Sequence, residues 1–248
     1  MVPEYLEMFY TTARDILRAI ETTQTFAIRE AGAGIAEKLA GGGIWAVYDT
    51  GHMLRHEAHF RAGGLAALLP FHFSVTAEPS ADLRPKTRVA APARSSVERD
   101  KAAWAFDETG LDARDALLIN SNSGRSRAVI ETAREAQARG VFTIGVSSRA
   151  QIEATPAEDQ AGTRLPQVVH VFIDNCTPAG DAVLPTRSGE KMCPMSGIAS
   201  AFILWAIQAH VVACLEEKGL TPTLYRSVHL GGMDYFEQQQ RRYRELGV

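Results

Sequence analysis

A serine-rich segment after an apolar run contains the residues best suited to chemistry. Residues 120–126 read Asn-Ser-Asn-Ser-Gly-Arg-Ser, and a helical pattern begins near Ser126. A helix N-terminus offers free N–H groups and a dipole that favours an anion, and Gly124 lets the backbone approach closely. We expect a phosphate group to bind here, the alternative being a capped turn without a ligand. The predicted ligands are Ser121, Asn122, Ser123, Gly124, Arg125 and Ser126.

Three histidines form a second group with possible chemistry. His52, His56 and His59 are spaced by four and three residues, which in a helix places the imidazoles near one face. Imidazoles that converge can bind a metal ion, although this is not the zinc-protease pattern. The ordinary alternative is that one histidine packs at an interface and the others face solvent. We favour that alternative and expect neither a metal nor another cofactor.

The elements that must position these residues alternate between strands and helices. Short apolar runs predict buried strands at 44–48, 66–73, 116–120, 141–146 and 168–173. Apolar residues at helical spacing predict helices at 5–39, 96–109, 126–139, 196–218 and 234–246. Such alternation produces right-handed βαβ crossovers. We predict a three-layer α/β/α sandwich with a five-stranded parallel sheet at 41–248, preceded by a helical arm at 1–40.

Segments without periodicity are predicted to be loops. They are residues 78–94, 150–166 and 174–194. The last segment follows the fifth strand, and ligands of such sheets bind beyond the carboxyl ends of the strands. We expect Asp174 and Asp181 to bind ligand hydroxyls there, the alternative being that they cap turns. Ser196 opens the next helix as an N-cap or a further phosphate donor.

The bulk composition is that of an ordinary globular protein. Hydrophobic residues make up 46% of the chain and charged residues 22%, and the net charge is −3. The absence of an extended basic run argues against nucleic acid, and the absence of a glycine-rich fingerprint argues against a nucleotide. Three widely spaced cysteines favour a reducing cytoplasm. No signal peptide or membrane span is predicted, since the apolar run at 198–212 contains two polar residues.

Motifs in the order found here resemble an uncharacterised family of bacterial SIS (sugar isomerase) domain proteins related to phosphoheptose isomerases. The pattern Ser-x-Ser-Gly-x-Ser at 121–126 looks like the phosphosugar-binding loop of SIS domains. The other matching motifs are a glycine-histidine turn that ends at His52, residues 61–65, 97–99, 122–125, 172–176 and 180–182, Ser196, and the glycine pair at 231–232. The resemblance extends over nearly the full chain.

The resemblance implies a flavodoxin-like strand order and a site that also includes the first turn. Thr50, Gly51 and His52 are then phosphosugar-binding residues. The sequence departs from the family at this turn, because Met53 stands where the family has serine, and one hydroxyl is lost. A second departure lies near the C-terminus, where His229 replaces an asparagine.

The implied function is binding of a phosphorylated sugar by a homodimer or homotetramer. An aldose–ketose isomerase needs an acid or base beside the sugar carbons. Glu57 is the first candidate, with His56 and with His229 reaching the site of a neighbouring subunit; the ordinary alternative for Glu57 is an ion pair with Arg61. A sensor that binds phosphosugar without turnover and an oligomeric scaffold without a ligand are the other two possible functions.

Overall fold

A computed structural model describes residues 4–51, 54–75, 97–158 and 161–248 of the chain. Its helices are α1 Tyr5–Ala40, α2 Val97–Thr109, α3 Arg127–Ala138, α4 Arg149–Ala154, α5 Ser196–Glu217 and α6 Val228–Leu246. Its strands are β1 Trp45–Asp49, β2 Leu68–Pro70, β3 Ala116–Asn120, β4 Phe142–Ser147, β5 Val171–Asp174, β6 Ala182–Pro185 and β7 Lys191–Pro194.

The central sheet is parallel and has the order β2-β1-β3-β4-β5. Asp49 pairs with Asn120, which in turn pairs with Val146, and Ser147 pairs with Asp174. The carboxyl ends of β1, β3, β4 and β5 therefore lie side by side. The five-stranded parallel sheet and its flavodoxin-like order are confirmed.

Two hydrophobic layers flank the sheet, because successive side chains of a strand point to opposite faces. Leu118 and Val146 pack in the cluster that includes α1 and α5, whereas Ile119 packs in the cluster that includes α2 and α3. Both faces are thus covered by helices, and the predicted three-layer sandwich is confirmed. Strands β1 and β3 are apolar up to their last residue because both of their faces are buried.

The long helix α1 runs past the carboxyl edge of the sheet. The Gln24 side chain accepts a hydrogen bond from the N–H of Asp174 at 3.0 Å, so the carboxyl edge of the sheet lies beside Gln24 of α1. Residues 5–23 continue beyond it for about 27 Å. The helix α5 lies alongside, and a Cβ added at Gly32 would meet the His210 side chain at 3.0 Å. Two closely packed helices therefore rise beside the edge where ligands are expected.

The helix α5 is the one helix in the described ranges with the length and hydropathy to cross a bilayer. Its residues Ile203, Leu204, Ile207 and Val211 are fully buried in the hydrophobic core. This packing is that of the core helix that the sequence predicts.

Several element boundaries differ from the sequence predictions. The second strand is only Leu68–Pro70, shorter than the apolar run at 66–73. The predicted loop at 174–194 contains the antiparallel hairpin of β6 and β7, and the predicted loop at 150–166 contains most of α4. The last helix begins at Val228 and is broken at Gly232, whose φ is 75°. The predicted loop at 78–94 lies outside the described residues.

The segment after β1 is not the helix that the histidine spacing requires. Residues 54–60 form turns and bends, with a single helix-type hydrogen bond from the N–H of Ala58 to the carbonyl of Leu54 at 2.9 Å. Phe60 has a left-handed φ of 57°, which ends any helical path. The helix that would place His56 and His59 near one face is therefore absent from residues 54–60.

Candidate functional site

The turn between β3 and α3 has the geometry of an anion-binding loop. The N–H of Ser121 donates to the carbonyl of Val146 at 3.0 Å, and the N–H of Gly124 donates to the carbonyl of Ser121 at 3.0 Å. Gly124 adopts a positive φ of 52°, and Ser126 caps α3 by accepting a hydrogen bond from the N–H of Val129 at 3.4 Å. The chain thus turns sharply from the strand into the helix.

The loop presents several hydrogen-bond donors that have no partner among the described residues. They are the hydroxyls of Ser121 and Ser123 and the backbone N–H groups of Asn122, Ser123, Arg125 and Ser126. The positive end of the α3 dipole adds to their potential. Such a concave set of donors suits a phosphate or sulfate group.

A buried polar network holds the loop from the side of β4 and β5. The Asn122 carbonyl accepts a hydrogen bond from the N–H of Ser148 at 3.0 Å, and its side-chain oxygen accepts one from Asn175 Nδ2 at 2.8 Å. The Thr177 hydroxyl donates to Asn175 Oδ1 at 2.8 Å, and the Ser148 hydroxyl donates to the Thr177 carbonyl at 2.6 Å. The side chain of Asn122 therefore shapes the loop. Sequence reasoning missed Ser148 and Thr177, although both follow predicted strands at the correct edge.

The turn after β1 lies against the same loop. Asn120 Nδ2 donates to Asp49 Oδ1 at 2.8 Å, and the Thr50 hydroxyl donates to the Asn120 carbonyl at 3.4 Å. Asp49 also accepts hydrogen bonds from two backbone N–H groups that follow the turn. Thr50 and Gly51 are exposed next to the start of the loop, and their contact with a ligand stays a prediction, whereas His52 lies outside the described residues.

Two fully buried polar atoms at this edge have no partner in the described part of the chain. They are Asn120 Oδ1 and Ser147 Oγ. A Cβ added at Gly124 would lie only 2.8 Å from Ser147 Oγ, so the loop closes tightly over that hydroxyl. Unpaired buried polar atoms are rare and cost free energy. Asn120 and Ser147 are the last residues of β3 and β4, so both unpaired atoms lie directly beneath the predicted site.

The side chain of Arg125 is directed toward residues 156–158. Its guanidinium donates to the Pro156 carbonyl at 3.1 Å and lies 3.5 Å from a carboxylate oxygen of Glu158. The other oxygen of Glu158 accepts a hydrogen bond from the N–H of Arg127 at 3.3 Å. Arg125 is thus engaged by an internal carboxylate at the N-terminus of α3.

The predicted carboxylate ligands serve turns and helix ends. Asp174 Oδ1 accepts hydrogen bonds from the N–H groups of Arg149 at 2.9 Å and Cys176 at 3.0 Å. Asp181 Oδ1 accepts one from the N–H of Ser196 at 2.7 Å, and its other oxygen accepts one from the Ser196 hydroxyl at 2.6 Å. Both carboxylates therefore accept backbone N–H groups at turns and helix starts, as in the alternative that they cap turns. Ser196 is bonded to Asp181 at the start of α5.

Glu57 is oriented by two partners. Its carboxylate accepts a hydrogen bond from Trp205 Nε1 at 3.3 Å and pairs with Arg61 at 3.0 Å. The ion pair predicted as the ordinary alternative is present, and the Glu57 side chain remains 32% exposed. Among the described residues, no hydrogen bond or ion pair joins Glu57 to the loop at 121–126.

The histidines lie in different environments. His56 and His229 are exposed, and His229 lies in the first turn of α6. His59 is half-buried, and its burial lowers the pKa of the imidazole below the ordinary value. Nδ1 of His59 has no hydrogen-bond partner among the described residues. The ranges described contain no group of three side chains that could hold a metal, and His52 lies outside them.

The fold and the loop define an α/β protein with a donor-rich turn at the carboxyl edge of a parallel sheet. The SIS domain model matches residues 8–148, more than half of the chain, and a domain of unknown function (DUF2529) matches residues 82–215. The UPF0309 protein of Streptomyces coelicolor is 31% identical over 229 residues, 90% of this chain and 88% of the relative. The chain therefore belongs to the SIS domain family and, within it, to the UPF0309 proteins.

Other relatives agree with this assignment. The UPF0309 protein of Halalkalibacterium halodurans is 29% identical over 93% of this chain and 90% of its own length. A phosphoheptose isomerase from Neisseria gonorrhoeae has a TM-score of 0.52 at 15% identity, covering 86% of this chain and 98% of that chain. A putative phosphosugar isomerase involved in capsule formation from Bacteroides fragilis has a TM-score of 0.54 at 16% identity, covering 88% and 92%. The structural likenesses establish the SIS fold.

Proposed function

We propose that this chain binds a phosphorylated sugar, with the phosphate at residues 121–126. The observation that carries the proposal is the set of donors at the N-terminus of α3 that have no partner in the described ranges, which includes the Ser123 hydroxyl. The sugar then extends toward the turn at Thr50 and Gly51. Membership of the SIS family and the names of two fold relatives, both isomerases of phosphorylated sugars, agree with this class of ligand.

The reaction we propose is aldose–ketose isomerisation by general acid–base chemistry. A carboxylate removes a proton from one sugar carbon and returns it to the neighbouring carbon, while the hydroxyl proton moves to the former carbonyl oxygen, so the reaction balances without a redox cofactor. Glu57 is the proposed base, because its carboxylate is oriented by Trp205 and Arg61 while remaining partly exposed. His56 and a partner subunit's copy of His229 are the proposed accessory acids.

Binding is tested by a thermal-shift screen of ribose 5-phosphate, glucose 6-phosphate and sedoheptulose 7-phosphate against the unphosphorylated sugars. A ligand at 100 times its Kd stabilises by about 2.7 kcal/mol, equivalent to about 5–10 °C for a domain of this size. We expect a phosphorylated sugar to raise the Tm of the wild type and not of Ser123→Ala. Ser188→Ala, which changes an exposed serine in the β6–β7 turn, is the matched control. A wild type unmoved by every phosphate contradicts the proposal.

A second candidate function is a phosphosugar sensor without turnover. It is favoured by the engagement of the Glu57 carboxylate and by the absence, among the described residues, of a hydrogen bond from it to the loop. The two functions separate in an isomerisation assay with the stabilising sugar phosphate. An enzyme shows turnover that falls about 10²–10⁴-fold in Glu57→Gln with binding retained. A sensor binds the compound and leaves it unchanged.

We further propose a homodimer or homotetramer in the cytoplasm, joined through α1 and α5. Phe26 of α1 is 81% exposed, and the half-exposed Phe202 of α5 lines a groove between the two helices. Burial of such side chains against a second copy removes apolar surface from water. Sedimentation velocity tests the assembly, and a monomer at micromolar concentration contradicts it.

A further inference from the structure

The carboxylate of Glu158 lies at the N-terminus of α3, the same helix end that the proposed phosphate uses. One oxygen accepts the N–H of Arg127, the first residue of α3, at 3.3 Å. The other oxygen lies 3.5 Å from the guanidinium of Arg125. Glu158 reaches α3 from the segment after α4, whose Pro156 carbonyl also accepts a hydrogen bond from the Arg125 guanidinium at 3.1 Å. A built-in anion therefore already interacts with the positive end of this helix.

We infer that Glu158 is an intramolecular competitor that weakens phosphate binding at residues 121–126 and holds Arg125 away from it. The inference rests on the proposed function. A phosphate at the loop and the Glu158 carboxylate at Arg127 would both lie at the N-terminus of α3, where the two negative charges repel each other. Binding of the phosphate therefore favours departure of Glu158, which leaves the Pro156 carbonyl as the remaining partner of the Arg125 guanidinium and lets the guanidinium turn toward the phosphate.

The arrangement makes Glu158 a determinant of ligand charge. A neutral sugar gains nothing at the helix end that Glu158 already occupies, whereas a phosphate ester gains both the helix end and Arg125. The Glu158 side chain is 40% exposed, so the carboxylate can leave for solvent without uncovering the core. The apparent affinity is lowered because the binding-competent arrangement must first displace this contact.

The test is isothermal titration calorimetry of the full chain with inorganic phosphate. Glu158→Gln removes the charge and keeps the side-chain shape, and we expect it to bind phosphate about twofold to fivefold more tightly than the wild type. Glu153→Gln, at an exposed position of α4, is the control and is expected to match the wild type. Adding Arg125→Met to Glu158→Gln is expected to cancel the gain.

The outcomes separate the inference from the proposed function. A wild type that binds phosphate as tightly as, or more tightly than, Glu158→Gln overturns the inference alone and leaves the proposed site standing. An equal gain in Glu153→Gln also overturns it, because the effect is then one of net charge. If neither wild type nor Glu158→Gln binds inorganic phosphate or any of the three sugar phosphates, the proposed function fails and the inference fails with it. Equal unfolding midpoints of the variants exclude a difference in folding.

Discussion

At the scale of single residues, the loop depends most on Gly124. Its φ of 52° is unfavourable for any residue with a Cβ, and the built Cβ would lie 2.8 Å from Ser147 Oγ and 3.2 Å from Leu165 Cβ. The N–H of Leu165 also donates to the Gly124 carbonyl at 2.9 Å, so the loop cannot relax freely. The position therefore requires both a left-handed backbone and the absence of a side chain.

We predict that Gly124→Ala lowers the free energy of unfolding by about 2–3 kcal/mol, from backbone strain of about 1–2 kcal/mol together with the steric clash. Urea denaturation measures it. Gly219→Ala is the matched control, because Gly219 also has a positive φ of 76° but nothing within 4 Å of its added Cβ. A loss no larger in Gly124→Ala than in Gly219→Ala would mean that close packing over Ser147 is unimportant.

His59 gives the fold a dependence on pH. Burial lowers the pKa of its imidazole in the folded state, so the unfolded chain binds more protons between the lowered pKa and the ordinary value of 6.5. The contribution to stability is complete above about pH 6.5 and is lost as the pH falls through the folded-state pKa. Melting temperatures from pH 8 to pH 5 should fall more steeply in the wild type than in His59→Gln. His56→Gln, at an exposed position, should follow the wild type; equal slopes in all three proteins would refute the prediction.

At the scale of elements, Asp181 secures the start of the long helix α5. It accepts hydrogen bonds from the N–H groups of Met195 at 2.9 Å and Ser196 at 2.7 Å. We predict that Asp181→Ala costs about 1–2 kcal/mol of unfolding free energy, and Asp181→Asn less, while the Kd for phosphate changes by less than about twofold. Urea denaturation and calorimetry measure the two effects, with Glu190→Ala in the hairpin turn as control. Full stability combined with lost binding would make Asp181 a ligand instead.

The elements that sequence reasoning predicted are those with an uninterrupted local signal. Residues 116–120 form a strand as predicted, because a strand buried on both faces shows a continuous apolar run, here up to Asn120. The hairpin of β6 and β7 was missed because its residues are mostly half-exposed and separated by glycine and proline. The helix α4 buries none of its residues, so no apolar period marks it.

The same distinction applies to the site. The loop at 121–126 could be predicted because the strand end, the glycine and the N-cap are neighbours in sequence. The bonds from Asn122 to Asn175 and from Arg125 to Glu158 join residues distant in the chain, so only the fold reveals them. The grouping of the histidines on one face was wrong because it required a helix, whereas the backbone at 54–60 forms turns and bends and has a left-handed φ at Phe60.

At the scale of the whole molecule, the topology brings the turns after β1, β3, β4 and β5 to one edge of the sheet. The helices α1 and α5 pack beside that edge and belong to the larger hydrophobic cluster, so this edge of the sheet is continuous with the core. The proposed phosphate site therefore lies on a rigid scaffold, because the turn is hydrogen-bonded to β4 through Ser121 and to the end of β5 through Asn175.

The most direct test of phosphate binding at residues 121–126 is a ¹H–¹⁵N NMR titration of the wild type with inorganic phosphate, at constant ionic strength set by chloride. The backbone N–H groups of Asn122, Ser123, Arg125 and Ser126, which have no partner in the part of the chain described, should shift together and saturate with one Kd, and Ser123→Ala should weaken binding. Saturable shifts confined to other parts of the chain, or no saturable shift at all, would contradict the account.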